Sequence, residues 1–163
     1  MALDDPALAV VPELAFDVTG SVSQRELFEL IAARLCANRP IECRPAIIEC
    51  FEKREGICST GVGHGVALPH AATTAVDEIL VVVVRIAAPL EWCSRDGVPV
   101  SLAVAIVSPP RLYARYLKVL AALARALHVP EVRDRALNAA TPAAAAQVIA
   151  AAVREKAAEP AAG

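Results

Sequence analysis

No stretch of this chain is long enough to cross a membrane as a helix, which needs about 20 consecutive apolar residues. The longest candidates are Ile79–Val84, stopped by Arg85, and Val98–Val107, stopped by Ser108, Pro109 and Pro110. Positive charge is not in excess either: 16 Lys and Arg stand against 18 Asp and Glu, a net of −2. That disfavours a nucleic-acid reader, which must neutralise many phosphates. The chain has no CxxC pair, and its five cysteines (Cys36, Cys43, Cys50, Cys58 and Cys93) are an odd number, which argues against a disulfide framework. Three scattered histidines, His64, His70 and His128, do not have the spacing of a structural zinc site, so no metal is expected. The N-terminus carries Asp4 and Asp5 where a secretory signal carries positive charge, and the chain is read as soluble and cytoplasmic.

What is present is apolar and ordered. Of the 163 residues, 56% are hydrophobic and 21% charged, which excludes disorder over the whole length. One domain is expected, burying about two-thirds of its unfolded surface. Residues 1–13, with Pro6 and Pro12, read as a flexible lead-in, residues 14–156 as the domain and 157–163 as a disordered tail. Leu14–Val18 reads as a short strand. Ser23 and Glu26 form a capping box, in which each side chain satisfies the other residue's backbone donor. Leu27, Leu30, Ile31 and Leu35 follow at helical spacing and stop before Pro40. A second helix opens at Pro45, buries Ile47, Ile48 and Phe51, and is punctuated by Gly56.

Val66–Leu68 is a very short strand, ended by Pro69 and His70. Ile79–Ile86 is almost unbroken in β-branched residues, as in a strand covered on both faces, and Pro89 ends it. Asp96-Gly97 marks a tight turn into a second fully apolar strand, Val100–Val107. Pro109-Pro110 starts a helix whose buried stripe is Leu112, Tyr116, Val119, Leu120, Leu123 and Leu127. A shorter helix begins at Pro130, and Thr141-Pro142 opens a last one to about Lys156. Fully apolar strands need helices on both faces. The expected class is therefore α/β (α+β), a three-layer α/β/α sandwich with a small mixed β-sheet flanked by helices.

The chemistry concentrates in one segment. Gly61, Gly63 and Gly65 leave backbone N–H groups unscreened, and successive N–H groups can form a concave anion nest. His70 stands behind Pro69, whose ring fixes its own φ and holds Leu68 extended, so the imidazole sits on a stiff platform. The plainer alternatives are a tight turn into a strand for the glycines and an ordinary histidine for His70. The segment is not a dinucleotide fingerprint, since Val66 stands where the third glycine belongs, and it lacks a P-loop lysine.

Arg54-Glu55, followed by Ser59-Thr60-Gly61-Val62-Gly63-His64-Gly65-Val66-Ala67-Leu68-Pro69-His70, resembles the active-site segment of enzyme IIA domains of the bacterial phosphotransferase system. The branch is the mannitol/fructose type, which includes the nitrogen-regulatory enzyme IIA proteins. Pro89-Leu90 with Asp96-Gly97-Val98-Pro99-Val100, and Leu117 with Leu120–Arg125, extend the resemblance over roughly residues 14–155. It implies a phosphocarrier in which His70 accepts a phosphoryl group from HPr or an HPr-like nitrogen-branch counterpart. The group then passes to a cysteine of an enzyme IIB, or is itself the regulatory signal. The alternative is a non-catalytic regulatory module on the same fold that controls a transporter or a sensor kinase.

The chemistry suits these residues. Neutral imidazole, with an ordinary pKa of about 6.5, is nucleophilic near pH 7 and can form a covalent intermediate. Phosphoryl transfer needs positioning and stabilisation of oxygen charge. Arg54 is expected to supply the cation, and Thr60, Gly61, Gly63 and Gly65 the phosphate-binding donors. No cofactor is implied. One departure stands out: the family usually carries a second histidine near the first, and here Tyr116 takes that place. A hydrogen bond assisted by charge contributes about 1.5–3 kcal/mol against about 1 for a neutral one. The swap is therefore expected to slow transfer about ten-fold or more. The alternative is that Tyr116 merely fills its helix stripe. His64 could approach the phosphoryl group or lie solvated in its loop. His128 belongs to a helix C-terminus, Cys58 is expected to pack, and Trp92 either anchors a loop or marks a partner surface.

Overall fold

The computed structural model describes residues 4–41 and 44–160. Its centre is a mixed sheet built on two long apolar strands, β5 (Leu80–Leu90) and β6 (Val100–Ser108), paired antiparallel from Leu80↔Val107 to Arg85↔Leu102. β1 (Phe16–Val18) joins β5 in parallel. On the other side of β6 run β3 (Val66–Ala67) and β4 (His70–Ala72), both parallel to it, and β2 (Gly61–Gly63) folds back antiparallel on β3.

Side chains alternate along the two long strands, as a pleat requires. Val81, Val83, Leu102, Val104 and Ile106 face one helical layer: α3 (Tyr113–His128), α4 (Pro130–Asn138) and α5 (Pro142–Ala158), which contribute Val119, Leu123, Ala136, Ile149 and Val153. Leu80, Val82, Val84, Ala103, Ala105 and Val107 face the other layer: α1 (Gln24–Asn38) and α2 (Arg44–Ile57), which contribute Leu27, Ile31, Leu35, Ile47 and Phe51. The structure is thus the expected three-layer sandwich. The local signals hold too. Ser23 Oγ accepts from the Glu26 amide at 3.1 Å while Glu26 accepts from the Ser23 amide at 2.6 Å, and Thr141 Oγ1 caps α5 through the Ala144 amide at 3.1 Å.

Four expectations are corrected. The first is the flexible lead-in. Pro6–Ala9 and Pro12–Leu14 form 3-10 turns, Ala7, Ala9 and Val10 are buried against α3, α5 and β5, and Val10 bridges Val81. Asp5 holds the entry by accepting from the Ala7 amide and pairing with Arg154 at 2.8 Å. Second, β5 continues through Pro89 to Leu90. The proline lies within the irregular stretch between Arg85 and Leu90, where the register shifts and proline is tolerated. Third, α3 opens at Tyr113, because Pro110–Leu112 forms a separate 3-10 turn. Fourth, α5 carries Ala157 and Ala158 beyond the expected start of the tail, and residues 161–163 fall outside those described.

The position of His70 follows from β6. β3 and β4 lie along it in one continuous register, Val66↔Leu102 and Ala67↔Ala103, then His70↔Ile106 and Ala71↔Val107. They are one strand interrupted at Leu68-Pro69. Proline has no N–H to give the ladder, yet its carbonyl still accepts from the Ile106 amide at 2.9 Å. His70 therefore starts a strand segment instead of ending one, and α2 packs against that segment.

The packed lead-in makes a prediction. Removing residues 1–10 uncovers Val81 and the α5 face, with loss of one buried valine and two alanines. At the usual value of an aliphatic burial, stability should fall by about 2 kcal/mol or more. Urea unfolding checks this; an unchanged midpoint would mean that the segment is a loose leader after all.

Candidate active site

His70 is half-buried at the mouth of a cavity of about 440 Å³. α2 supplies Cys50, Lys53, Arg54 and Ile57 to its walls, and α3 supplies Tyr113, Tyr116, Leu117 and Leu120. Both ring nitrogens are engaged. Nδ1 lies 2.7 Å from the Leu68 carbonyl oxygen, which can only accept, so Nδ1 carries the proton. Nε2 accepts from Arg54 Nε at 3.0 Å, so Nε2 carries the lone pair. Arg54 Nη1 donates to the Cys58 carbonyl at 2.8 Å, which holds the guanidinium at the end of α2.

The surroundings keep the ring neutral. Burial is the main cause lowering its pKa from the ordinary 6.5; the Leu68 carbonyl raises it, the Arg54 charge lowers it and the Glu55 charge raises it. The net direction is downward, so the unprotonated form persists to pH below that of a free histidine.

Tyr116 sits beside the imidazole, with ring centroids 6.0 Å apart and tilted by 49°, and Tyr113 follows it at 6.0 Å. Tyr116 is also buried in the α3–α5 core cluster. Tyr116 therefore fills the helix stripe and also forms a wall of the cavity. Burial pushes its phenol up to about 12, against the Arg54 charge, so it stays protonated and neutral.

Part of the expected anion nest is already engaged within the protein. Thr60 is buried, with its amide 2.9 Å from Glu55 Oε1 and its hydroxyl 2.5 Å from Glu55 Oε2. The Gly61 amide donates to Ser59 Oγ at 3.1 Å, and the His64 amide to Asp96 Oδ2 at 2.7 Å. The Thr60, Gly61 and His64 donors are thus spent on protein oxygens, and the His64 amide meets a carboxylate at the hairpin tip. Gly61, Gly63 and Gly65 serve the backbone instead. A Cβ at Gly61 would stand 2.7 Å from the Cys93 carbonyl oxygen, and Gly63 and Gly65 have φ of +85° and +74°. None of the three, nor Thr60, lines the His70 cavity.

His64 is exposed in its loop, the second of its two readings. Its ring faces His128, with centroids 6.1 Å apart, and does not border the cavity. Cys58 does not pack; it is exposed, and contributes its carbonyl. Trp92 is the loop anchor: it is buried edge-on against Phe28 at 6.0 Å and donates Nε1–H to Glu55 Oε1 at 2.9 Å. Sequence reasoning missed Glu55 as a hub and Asp96 as the hairpin clamp. The lone tryptophan was the available signal for the first, since a buried indole N–H needs an acceptor. Among the described residues no group of three or more His, Cys, Asp or Glu side chains could hold a metal ion, and no helix is long and apolar enough to cross a membrane.

Residues 13–152 match the family model described as phosphoenolpyruvate-dependent sugar phosphotransferase system, EIIA 2. The chain belongs to this family. Its role is accordingly that of a phosphotransferase-system enzyme IIA, a phosphocarrier or regulatory component. A nitrogen regulatory protein of Pseudomonas aeruginosa is 30% identical over 127 residues, covering 78% of this chain and 82% of that protein. The crystal structure of nitrogen regulatory protein IIA-Ntr from Neisseria meningitidis superposes with a TM-score of 0.77 at 25% identity, over 94% of this chain and 99% of that one. The mannitol enzyme IIA of Escherichia coli, solved in complex with phosphorylated enzyme IIB, shares the fold at 14% identity, with a TM-score of 0.68 over 86% and 96%.

The electrostatics of the ring are testable. Arg54→Ala removes a cation and opens the ring to water, and both changes favour the imidazolium. The His70 midpoint followed by NMR should rise relative to the parent protein. A fall, or no change, would show that the guanidinium does not govern the ring.

Proposed function

We propose that His70 Nε2 is the atom phosphorylated in this enzyme IIA, and that the donor is HPr or its nitrogen-branch counterpart. The observation that carries this reading is the paired engagement of the ring. The Leu68 carbonyl holds the proton on Nδ1, and this leaves Nε2 with a lone pair aimed at the cavity side and at Arg54. In the transfer the bond between phosphorus and the donor's nitrogen breaks as the bond from Nε2 to phosphorus forms. The imidazole keeps its Nδ1 proton, and the developing ring charge is stabilised by the Leu68 carbonyl. The Arg54 N–H that rests on Nε2 must leave the lone pair first; the same guanidinium then meets the oxygens of the arriving phosphoryl group.

Tyr116 gives the cavity a neutral donor where the family's second histidine would bring a cation. Around the cavity Ile57, Tyr113 and Leu117 are exposed, so an apolar rim encloses the cationic Lys53 and Arg54. That rim fits a protein donor or acceptor presenting a phosphorylated side chain. Enzyme IIB is the partner in the complex of the mannitol relative, and we extend that partnership to this chain. The similarity to nitrogen regulatory proteins favours a regulatory use of the phosphorylated state, with a transporter or sensor kinase as a further partner.

Incubation with phosphorylated HPr, or with the phosphorylated nitrogen-branch carrier, should add one acid-labile phosphate by intact mass, absent in His70→Ala. Failure of both donors would overturn the proposal. Arg54→Ala should slow the transfer about ten- to a hundred-fold, the value of one hydrogen bond assisted by charge. Tyr116→His should speed it about ten-fold; an unchanged rate would reduce Tyr116 to a packing residue.

A further inference from the structure

α2 ends at Ile57, and within three residues the chain has turned into the glycine hairpin. The turn is spanned twice. Arg54 bonds forward to the Cys58 carbonyl, and Glu55 bonds forward to the Thr60 amide and hydroxyl. Glu55 also takes the indole N–H of Trp92, from the segment that follows β5. Trp92 packs edge-on against Phe28, and Phe28 stacks on Phe51 of α2 at 5.2 Å. One carboxylate therefore receives three donors and ties three segments together: the helix end that carries Arg54, the start of the hairpin and the β5–β6 connection. Ser59 Oγ bonded to the Cys93 carbonyl, and the close approach of Gly61 to Cys93, draw the same two loops together.

We infer that Glu55 is the positioning residue for phosphoryl transfer in this protein: it anchors the end of α2 so that Arg54 meets Nε2 of His70. Glu55 does not reach the reacting atoms. It acts through its sequence neighbour, whose Nε must stay within hydrogen-bond reach of the ring in the resting state and swing only as far as a phosphoryl oxygen. A shift of about 1 Å in such a group can lower a rate a hundred-fold. All three donors bond this one carboxylate, so losing its charge weakens all three bonds at once. The glycines fit the same scheme, since they permit the close packing on which the anchor depends. This inference rests on the phosphocarrier reading, but its geometry can be tested apart from it.

The experiment compares Glu55→Gln and Trp92→Phe with the parent protein in two measurements. The first is the solvent exchange of the Arg54 Nε–H resonance by NMR, which needs no phosphoryl donor. The second is the rate of His70 phosphorylation at saturating phosphorylated HPr, separated from the donor's KM. Glu55→Gln should speed the exchange at least five-fold and lower the saturated rate at least ten-fold with KM unchanged. Trp92→Phe, which removes one of three donors, should fall between it and the parent. Parental exchange and rate in a folded Glu55→Gln protein would overturn the inference, and so would a change confined to KM or to thermal stability. Should Glu55→Gln not fold, Thr60→Val, which lacks only the hydroxyl donor, decides by the same two measurements. If the parent protein accepts no phosphate from any donor, the functional reading falls while the Arg54 resonance still settles the anchor.

Discussion

One imidazole ring has each of its nitrogens assigned, and the chemistry of this protein depends on that assignment. A carbonyl two residues back takes the proton of Nδ1, so only Nε2 is left with electrons to share. The carbonyl belongs to Leu68, and it points at the ring because the strand beside β6 breaks at Pro69 and then resumes in the same register. A regular strand would commit the Leu68 carbonyl to the ladder or to the opposite edge. An unconstrained loop would let the ring turn and exchange tautomers. The interrupted strand avoids both, because β6 holds its two halves and proline supplies the interruption.

Much of the fold was legible. The β-branched runs, the capping box at Ser23, and the prolines that open α2, α4 and α5 are signals whose physics is local. The misses share a different cause. Residues 6–14 look like a leader because two prolines interrupt them, but their alanines and Val10 find a groove made by β5, α3 and α5, far along the chain. Pro89 reads as a stop, yet it lies where the β5–β6 ladder is already irregular. β4 has three residues and no propensity signal, and exists because β6 is there to pair with it. At the site, the juxtaposition of Arg54 and His70 was legible through the motif. The fate of the Thr60, Gly61 and His64 amides was not, since their acceptors, Glu55, Ser59 and Asp96, are selected by the turn and by the β5–β6 connection.

That last point decides how charge is handled. An anion nest needs N–H groups left over, and this hairpin has given its Thr60, Gly61 and His64 amides to oxygen atoms already present. Asp96 receives the His64 and Val98 amides, which hold its carboxyl below the usual carboxylate range, so it is anionic at neutral pH. A second anion at the hairpin tip would meet like charge. On the proposed reading of His70, the phosphoryl oxygens are served from the other side of the ring, where α2 presents Arg54 and Lys53 and α3 presents Tyr116. Arg54 already touches the nucleophile. Lys53 is shared with Glu49 across one exposed helical turn, a contact that salt and water weaken. Tyr116 is neutral at any pH the protein meets. The site therefore relies on a single guanidinium for the charge of the transferred group. Any contact that fixes the position of that guanidinium acts directly on the rate, and the half-buried Glu55 carboxylate next to it in sequence is well placed to do so.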